Sequence, residues 1–167
     1  PGDAKTVGLE DAIASLVAYF ETHALHDVVL TGHSYGGMVI TALADRLPER
    51  VRRLVYWNAF VPHDGQALND MVPAHYADLF DTLVAADGSV MLPFPVWRDA
   101  FINDGTLEQA QAAYAVLNPH PYKTFTDPVR LTRTPAALPM AKSYLNCTED
   151  IALPHSLPWH PRLSEKL

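Results

Sequence analysis

The sequence predicts an α/β fold built on a mostly parallel sheet flanked by helices. Helical periodicity and short β-branched runs alternate from Leu9 to Phe60, and only short connections separate them. The pattern breaks after Pro62 and strand character returns near Met140. Helix and strand in alternation with short links favour right-handed crossovers and a parallel sheet.

Pro1 to Gly8 reads as a loop. Leu9, Ile13, Leu16, Val17 and Phe20 then recur at helical spacing, which predicts a helix from Leu9 to His23. Glu10 and Asp11 fall in its first turn, where the helix dipole favours negative charge. Asp27–Gly32, DVVLTG, is a β-branched run without alternation, the pattern of a strand buried on both faces of a parallel sheet. Tyr35–Leu47 predicts a helix with Met38, Val39, Ala42, Leu43 and Leu47 available for burial, ended by Pro48. Arg52–Phe60 predicts the next strand.

From His63 to Pro139 several short amphipathic stretches are expected to be helical, around Asp70–Ala86 and Thr106–Leu117, with prolines and aromatics between them. This reads as an insertion between two sheet strands. Met140–Cys147 predicts a further strand, and the remainder a loop and the start of a helix. The organisation is therefore core over 1–62, insertion over 63–139 and return to the core over 140–167.

Composition narrows the function. A net charge of -7 over 167 residues argues against nucleic acid as a partner, since phosphate binding needs a basic footprint. No apolar run approaches the roughly 18 residues of a spanning helix, so no membrane partner is expected. The single cysteine, Cys147, forms no internal disulfide and points to a reducing, cytoplasmic compartment. No H-x-x-x-H or H-E-x-x-H spacing marks a metal site, and no Walker lysine follows the glycine cluster, so neither metal nor cofactor is expected.

The chemistry concentrates in VVLTGHSYGGMVITALA, Val28–Ala44. Gly32-His33-Ser34-Tyr35-Gly36 fits G-x-S-x-G, between a predicted strand and a predicted helix, the context a nucleophile elbow requires. A serine on so sharp a turn leaves no room for side chains two positions away, and Gly32 and Gly36 are expected to relieve that crowding. The turn would lift Ser34 Oγ to the carboxyl edge of the sheet and aim the helix N-terminus at the same spot, where the Tyr35 backbone N–H could stabilise an oxyanion.

These residues, with VVLTGHSYGGMVITALADRLPERVRRLVYWNAFVP around them, closely resemble the α/β-hydrolase superfamily. Within it the chain looks like methyl-salicylate esterase and hydroxynitrile lyase-type enzymes and their bacterial carboxylesterase relatives. The resemblance is strongest over Val28–Gly65 and in YLNCTEDIALP, Tyr144–Pro154, and weak through the insertion. It implies a partial α/β-hydrolase fold whose insertion is a helical cap. It also implies a Ser–acid–His triad in that chain order, with Ser34 as nucleophile and Asp150 as acid. The alternative for Asp150, or for Glu149, is to cap the next helix. Asn58 stands near the strand end where some relatives carry the acid, but it cannot be an anion; Asp64 lies just beyond it.

The histidine should follow one more strand. His155 and His160 come directly after Asp150, which leaves no room for that strand, so the base is expected beyond Leu167. His33 is expected to point away from Ser34 Oγ and pack at the elbow. His23, His26, His63, His75 and His120 precede the acid and read as surface or cap residues. The second oxyanion donor is expected upstream of Gly8, which makes the chain an internal part of a longer hydrolase, inactive alone.

The resemblance implies a carboxylesterase acting on small hydrophobic esters. Phe80, Phe94, Trp97, Phe101, Tyr114, Tyr122 and Phe125 could line its pocket, although aromatics at helical spacing are more often core. Two other functions fit the same residues: hydroxynitrile lyase-type cleavage, and a non-catalytic ligand-binding member of the fold. Haloalkane dehalogenase and epoxide hydrolase chemistry is disfavoured, because those relatives use an aspartate where Ser34 stands.

Overall fold

Helix α1 (Leu9–Thr22) opens the fold in a computed structural model that describes residues 3–153 and 163–167. Asp11 reaches back to accept the Gly8 N–H at 2.7 Å, satisfying one donor that the helix start leaves free. Leu9, Ile13 and Phe20 turn inward, as their spacing requires. Strand β1 (Val28–Ser34) leads into α2 (Gly36–Arg46), and after a 3-10 turn at Pro48–Arg50 the chain enters β2 (Val51–Ala59). The insertion contributes α3 (Ala74–Thr82), α4 (Phe94–Phe101), α5 (Leu107–Tyr114) and α6 (Lys123–Thr126), with two short strands, β3 (Ser89–Val90) and β4 (His120–Pro121), paired antiparallel. Strand β5 (Ala141–Leu145) returns to the main sheet, whose order is β1-β2-β5, all parallel.

The expected helices and strands up to Phe60, and the strand at Met140–Cys147, therefore form with ends moved by a residue or two, while the expected Thr106–Leu117 helix stops at Tyr114. The predicted Asp70–Ala86 helix is split. A 3-10 turn occupies Leu68–Asp70 and α3 begins only after Pro73, which lacks the N–H a continuous helix would use. Thr106 starts α5: its Oγ1 accepts the Gln109 N–H at 3.2 Å, while Gln109 Oε1 accepts the Thr106 N–H at 2.8 Å.

Burial corrects the reading of β1. Val28 and Leu30 are half-buried, but Val29, Thr31 and His33 are exposed. Helix α2 packs on one face of β1 and β2, with α1 against it, and Met38, Leu43, Leu54 and Tyr56 are fully buried there. The opposite face is open among the described residues: Val29, Trp57 and Leu145 are each about half exposed. An unalternating apolar run cannot tell one buried face from two, because its side chains suit either.

Polar staples hold the layers. Thr41 Oγ1 donates to the Gly37 carbonyl at 2.6 Å and so accepts from Tyr56 Oη at 2.7 Å, joining α2 to β2 inside the core. Burial pushes the Tyr56 phenol up to about 12. Asp45, buried at the end of α2, accepts the Thr132 N–H at 2.6 Å and its hydroxyl at 2.9 Å, and pairs with Arg133 at 3.1 Å. Asp127 accepts the Leu9 N–H at 3.1 Å. The insertion is thus tied back to α1 and α2 at both Asp127 and Asp45.

Candidate active site

Ser34 ends β1 and carries a φ of +51°, the left-handed region that ordinary residues avoid. The chain holds it there by packing. Phe60 N–H donates to the Ser34 carbonyl at 3.1 Å. A Cβ at Gly32 would stand 2.8 Å from the Gly36 carbonyl carbon and oxygen and 2.9 Å from Ile40 Cδ1, so glycine is required. Gly36 corrects the expectation: nothing lies within 4 Å of a Cβ built there among the described residues. The crowded position is Gly37, where a Cβ would fall 2.0 Å from the Phe60 carbonyl oxygen. The tight contact is between α2 and the chain leaving β2, one residue further along than the motif implied.

Tyr35 has helical backbone angles and leads directly into α2. Its carbonyl accepts the Met38 N–H at 2.9 Å, while its own N–H belongs to the first turn, whose donors lack intrahelical partners. The N-terminus of α2 is therefore beside Ser34, as the motif requires.

Asp150 follows β5 and is fixed on both carboxylate oxygens. Oδ1 accepts the Ala152 N–H at 2.7 Å, and Oδ2 accepts a short hydrogen bond from Asn58 Nδ2. Asn58 Oδ1 in turn accepts the Cys147 N–H at 2.8 Å. Asn58 is 1% exposed and has a φ of +39°, a second strained residue at the carboxyl end of the sheet. The hydrogen bond from Ala152 closes a turn two residues long, and no helix begins at 151–153, so the helix-capping alternative for Asp150 is not what the described residues form. Glu149 is exposed, as is Asp64, whose Oδ1 accepts the Leu131 N–H at 2.9 Å and which lines neither cavity described below.

Ser34 sits where two cavities meet. One, of about 520 Å³, is the more polar of the two and has Ser34, Asn58, Cys147, Glu149 and Asp150 on its wall. The other, of about 220 Å³, is mainly apolar and lies beneath the insertion, with Phe60, Phe80, Trp97, Phe125 and Leu153 among its lining. Phe101 and Ala152 border both. Of the seven aromatics singled out in the insertion, Phe80, Trp97, Phe101 and Phe125 reach the apolar cavity. Phe94 and Tyr114 instead pack edge to face at 5.2 Å, and Tyr122 Oη bonds Asn69 at 3.0 Å. Tyr76 also lines the apolar cavity; burial and then the Asp150 charge raise its phenol.

The histidines divide. His23, His26, His63 and His75 are exposed, as expected of surface residues. His33 corrects its expectation: it is exposed on the open sheet face, its ring 5.1 Å from that of Trp57, because alternation along β1 turns it away from the core. His120 is neither surface nor cap. It is half-buried, lines the apolar cavity, and burial lowers its imidazole from the ordinary value. His155 and His160 lie outside the described residues. Cys147 is a free thiol whose Sγ accepts Trp57 Nε1–H at 3.2 Å. Among the described residues no group of three acidic, His or Cys side chains could hold a metal, and no helix is long and apolar enough to cross a membrane.

A sequence profile of the alpha/beta hydrolase family matches residues 1–165. A carbendazim-hydrolysing esterase from Nocardioides is 48% identical over 69 residues, 41% of this chain and 28% of that protein. An alpha/beta hydrolase from Aspergillus novofumigatus is 28% identical over 87% of this chain and 60% of its own length. The chain thus spans less than two thirds of these curated relatives. Among solved structures, an extracellular α/β-hydrolase from a Paenibacillus species superposes with a TM-score of 0.92 at 37% identity, covering 98% of this chain and 68% of that one. It is described as sharing structural and functional homology with tobacco salicylic acid binding protein 2. A pyrethroid hydrolase from Sphingobium faniae has the same fold, with a TM-score of 0.74 at 22% identity over 98% of this chain and 67% of its own.

Proposed function

The chain belongs to the alpha/beta hydrolase family, and on that premise we propose that the protein hydrolyses small hydrophobic carboxylic esters with Ser34 as nucleophile and Asp150 as the acid of a triad. The observation that carries this reading is the position of Ser34, at the junction of an apolar cavity and a polar one that contains Asp150. An ester laid across that junction puts its apolar part among Phe80, Trp97 and Phe125 and its carbonyl carbon at Ser34 Oγ.

The base in this reading is the histidine that completes the triad and that Asp150 would orient. It takes the Ser34 proton as Oγ bonds to the carbonyl carbon. The Tyr35 N–H then shares the negative charge of the tetrahedral intermediate. Collapse breaks the ester C–O bond and the alcohol leaves with the proton. Water, deprotonated by the same histidine, attacks the acyl-serine and releases the acid. Asp150 stays ionised throughout and orients the imidazole. The helical insertion acts as a cap that keeps bulk water from the apolar cavity. No metal or cofactor enters any step, and the partner is the small-molecule ester. The name of the Nocardioides relative supports ester hydrolysis on this fold.

The test is a fluorophosphonate probe on the full-length protein, followed by peptide mapping. The adduct is expected on Ser34 and is expected to disappear in Ser34→Ala. An unlabelled Ser34, in a protein whose fold is intact by circular dichroism, would make this a non-catalytic ligand-binding member of the family.

A further inference from the structure

The apolar cavity contains an imidazole whose proton position is assigned by its hydrogen-bond partners. His120 Nε2 lies 2.7 Å from Thr124 Oγ1. The Thr124 hydroxyl already donates its proton to the Pro121 carbonyl, at 2.7 Å, and a carbonyl can only accept. Thr124 must therefore accept from His120, which puts the imidazole proton on Nε2. Nδ1 is left as a lone-pair acceptor with no hydrogen-bond partner among the described residues.

The ring is held rigidly in this state. It stacks on Phe125 at 5.0 Å with 20° between planes and meets Tyr35 edge on at 5.0 Å. Thr124 is 2% exposed, so water does not compete for its hydroxyl. Burial lowers the imidazole from its ordinary value and so favours its neutral form. Of the other polar groups on this wall, Ser34 is the nucleophile of the proposed reaction, Asn118 is exposed, the Tyr35 hydroxyl is shut off from solvent beside Thr124, and Tyr76 lies within the field of Asp150.

We propose that His120 is the specificity-determining residue of the apolar cavity, presenting Nδ1 as a fixed acceptor that selects ligands bearing a hydroxyl or N–H on an aromatic ring. An acceptor desolvated against a plain hydrocarbon loses its hydrogen bond to water and gains none, whereas a phenol or aryl N–H replaces it. The volume of about 220 Å³ suits a single substituted ring, since an engineered cavity of about 150 Å³ holds benzene. As a statement of substrate class the inference rests on the ester-hydrolase reading; as a statement of ligand binding it does not.

The experiment measures binding of phenol and toluene, near-isosteres, to the full-length protein and to His120→Phe and Thr124→Val. The phenol-to-toluene affinity ratio is expected to be about three- to tenfold higher in the wild type than in either variant. Thr124→Val preserves shape while removing the group that fixes the tautomer, so it tests the argument without emptying the pocket. Long-range ¹H–¹⁵N spectra of the wild type need no variant and are expected to show His120 with its proton on Nε2. A ratio unchanged across the three proteins, or a proton on Nδ1, overturns the proposal. Fluorophosphonate labelling of Ser34 keeps the two readings apart: a labelled serine with an unchanged ratio ends this proposal and leaves the esterase standing, and the reverse pattern does the opposite.

Discussion

Asn58 and Asp150 lie 92 positions apart, and the side-chain amide of one donates to the carboxylate of the other at the carboxyl edge of the sheet. Asn58 also accepts the Cys147 N–H, so one buried residue at the end of β2 fixes both the turn after β5 and the acid it carries. Such an Asn spends its donor on holding the carboxylate and leaves the acid's remaining capacity facing the polar cavity.

On the proposed mechanism, Asn58→Ala in the full-length protein is expected to lower kcat by about 10- to 100-fold with KM little changed. Displacement of a catalytic group by about 1 Å costs that much. Asn58 does not line the apolar cavity, so ester binding should survive. Steady-state kinetics on a simple aryl ester would decide it. A variant with wild-type kcat would show that Asp150 needs no such anchor.

How far the sequence could be read follows from this pair. Ser34 and Tyr35 are legible because strand, turn and helix are consecutive, and a short motif records all three. Asn58 is not, because its role is a contact between the ends of two strands separated by the whole insertion. Its visible signal is a negative one, an amide where some relatives carry an acid. His120 is hidden for a similar reason. Its meaning depends on Thr124 and Pro121, whose hydrogen bonds no spacing rule records. The helices from Ala74 onward are harder to place than α1 and α2, because prolines at 73, 93 and 95 cut the periodicity into pieces too short to show a face.

The elbow glycines give a prediction in which neighbours behave oppositely. Gly37→Ala puts a Cβ 2.0 Å from a backbone carbonyl that cannot rotate away, so α2 must separate from the chain after β2. The cost is expected to exceed about 3 kcal/mol, at the high end for overpacking. Gly36→Ala meets nothing among the described residues and replaces a glycine at a helix start, so its effect on stability should be within about 1 kcal/mol of zero and favourable in sign. Chemical denaturation of the two variants tests the order, and equal losses would contradict the geometry.

The Thr41–Tyr56 staple predicts an asymmetry as well. Tyr56→Phe removes one donor and leaves Thr41 still bonded to the Gly37 carbonyl, costing about 0.5–1.5 kcal/mol. Thr41→Val leaves the Tyr56 hydroxyl inside the core with no acceptor, costing about 1–3 kcal/mol. Unfolding free energies in urea should therefore rank Thr41→Val as the less stable protein. The double variant should recover part of the loss, since no orphaned hydroxyl remains.

Alkaline pH should attack the same pair. Burial raises the Tyr56 phenol from its ordinary value of 10.0 to about 12, and the Tyr35 phenol likewise to about 12. Both folded-state values lie above the unfolded one. The neutral phenols therefore contribute fully below about pH 10, where neither state ionises. Above that point the unfolded chain loses protons that the native chain keeps. Stability then falls by about 1.4 kcal/mol per pH unit for each such group, until the native phenol ionises too, near pH 12. For Tyr56 alone the loss is about 2–3 kcal/mol across that window. Denaturation midpoints measured from pH 8 to 11.5 should be level at first and then decline, with a shallower decline in Tyr56→Phe. A wild-type curve that matches Tyr56→Phe throughout would mean that the Tyr56 hydroxyl ionises as freely in the native core as in the unfolded chain.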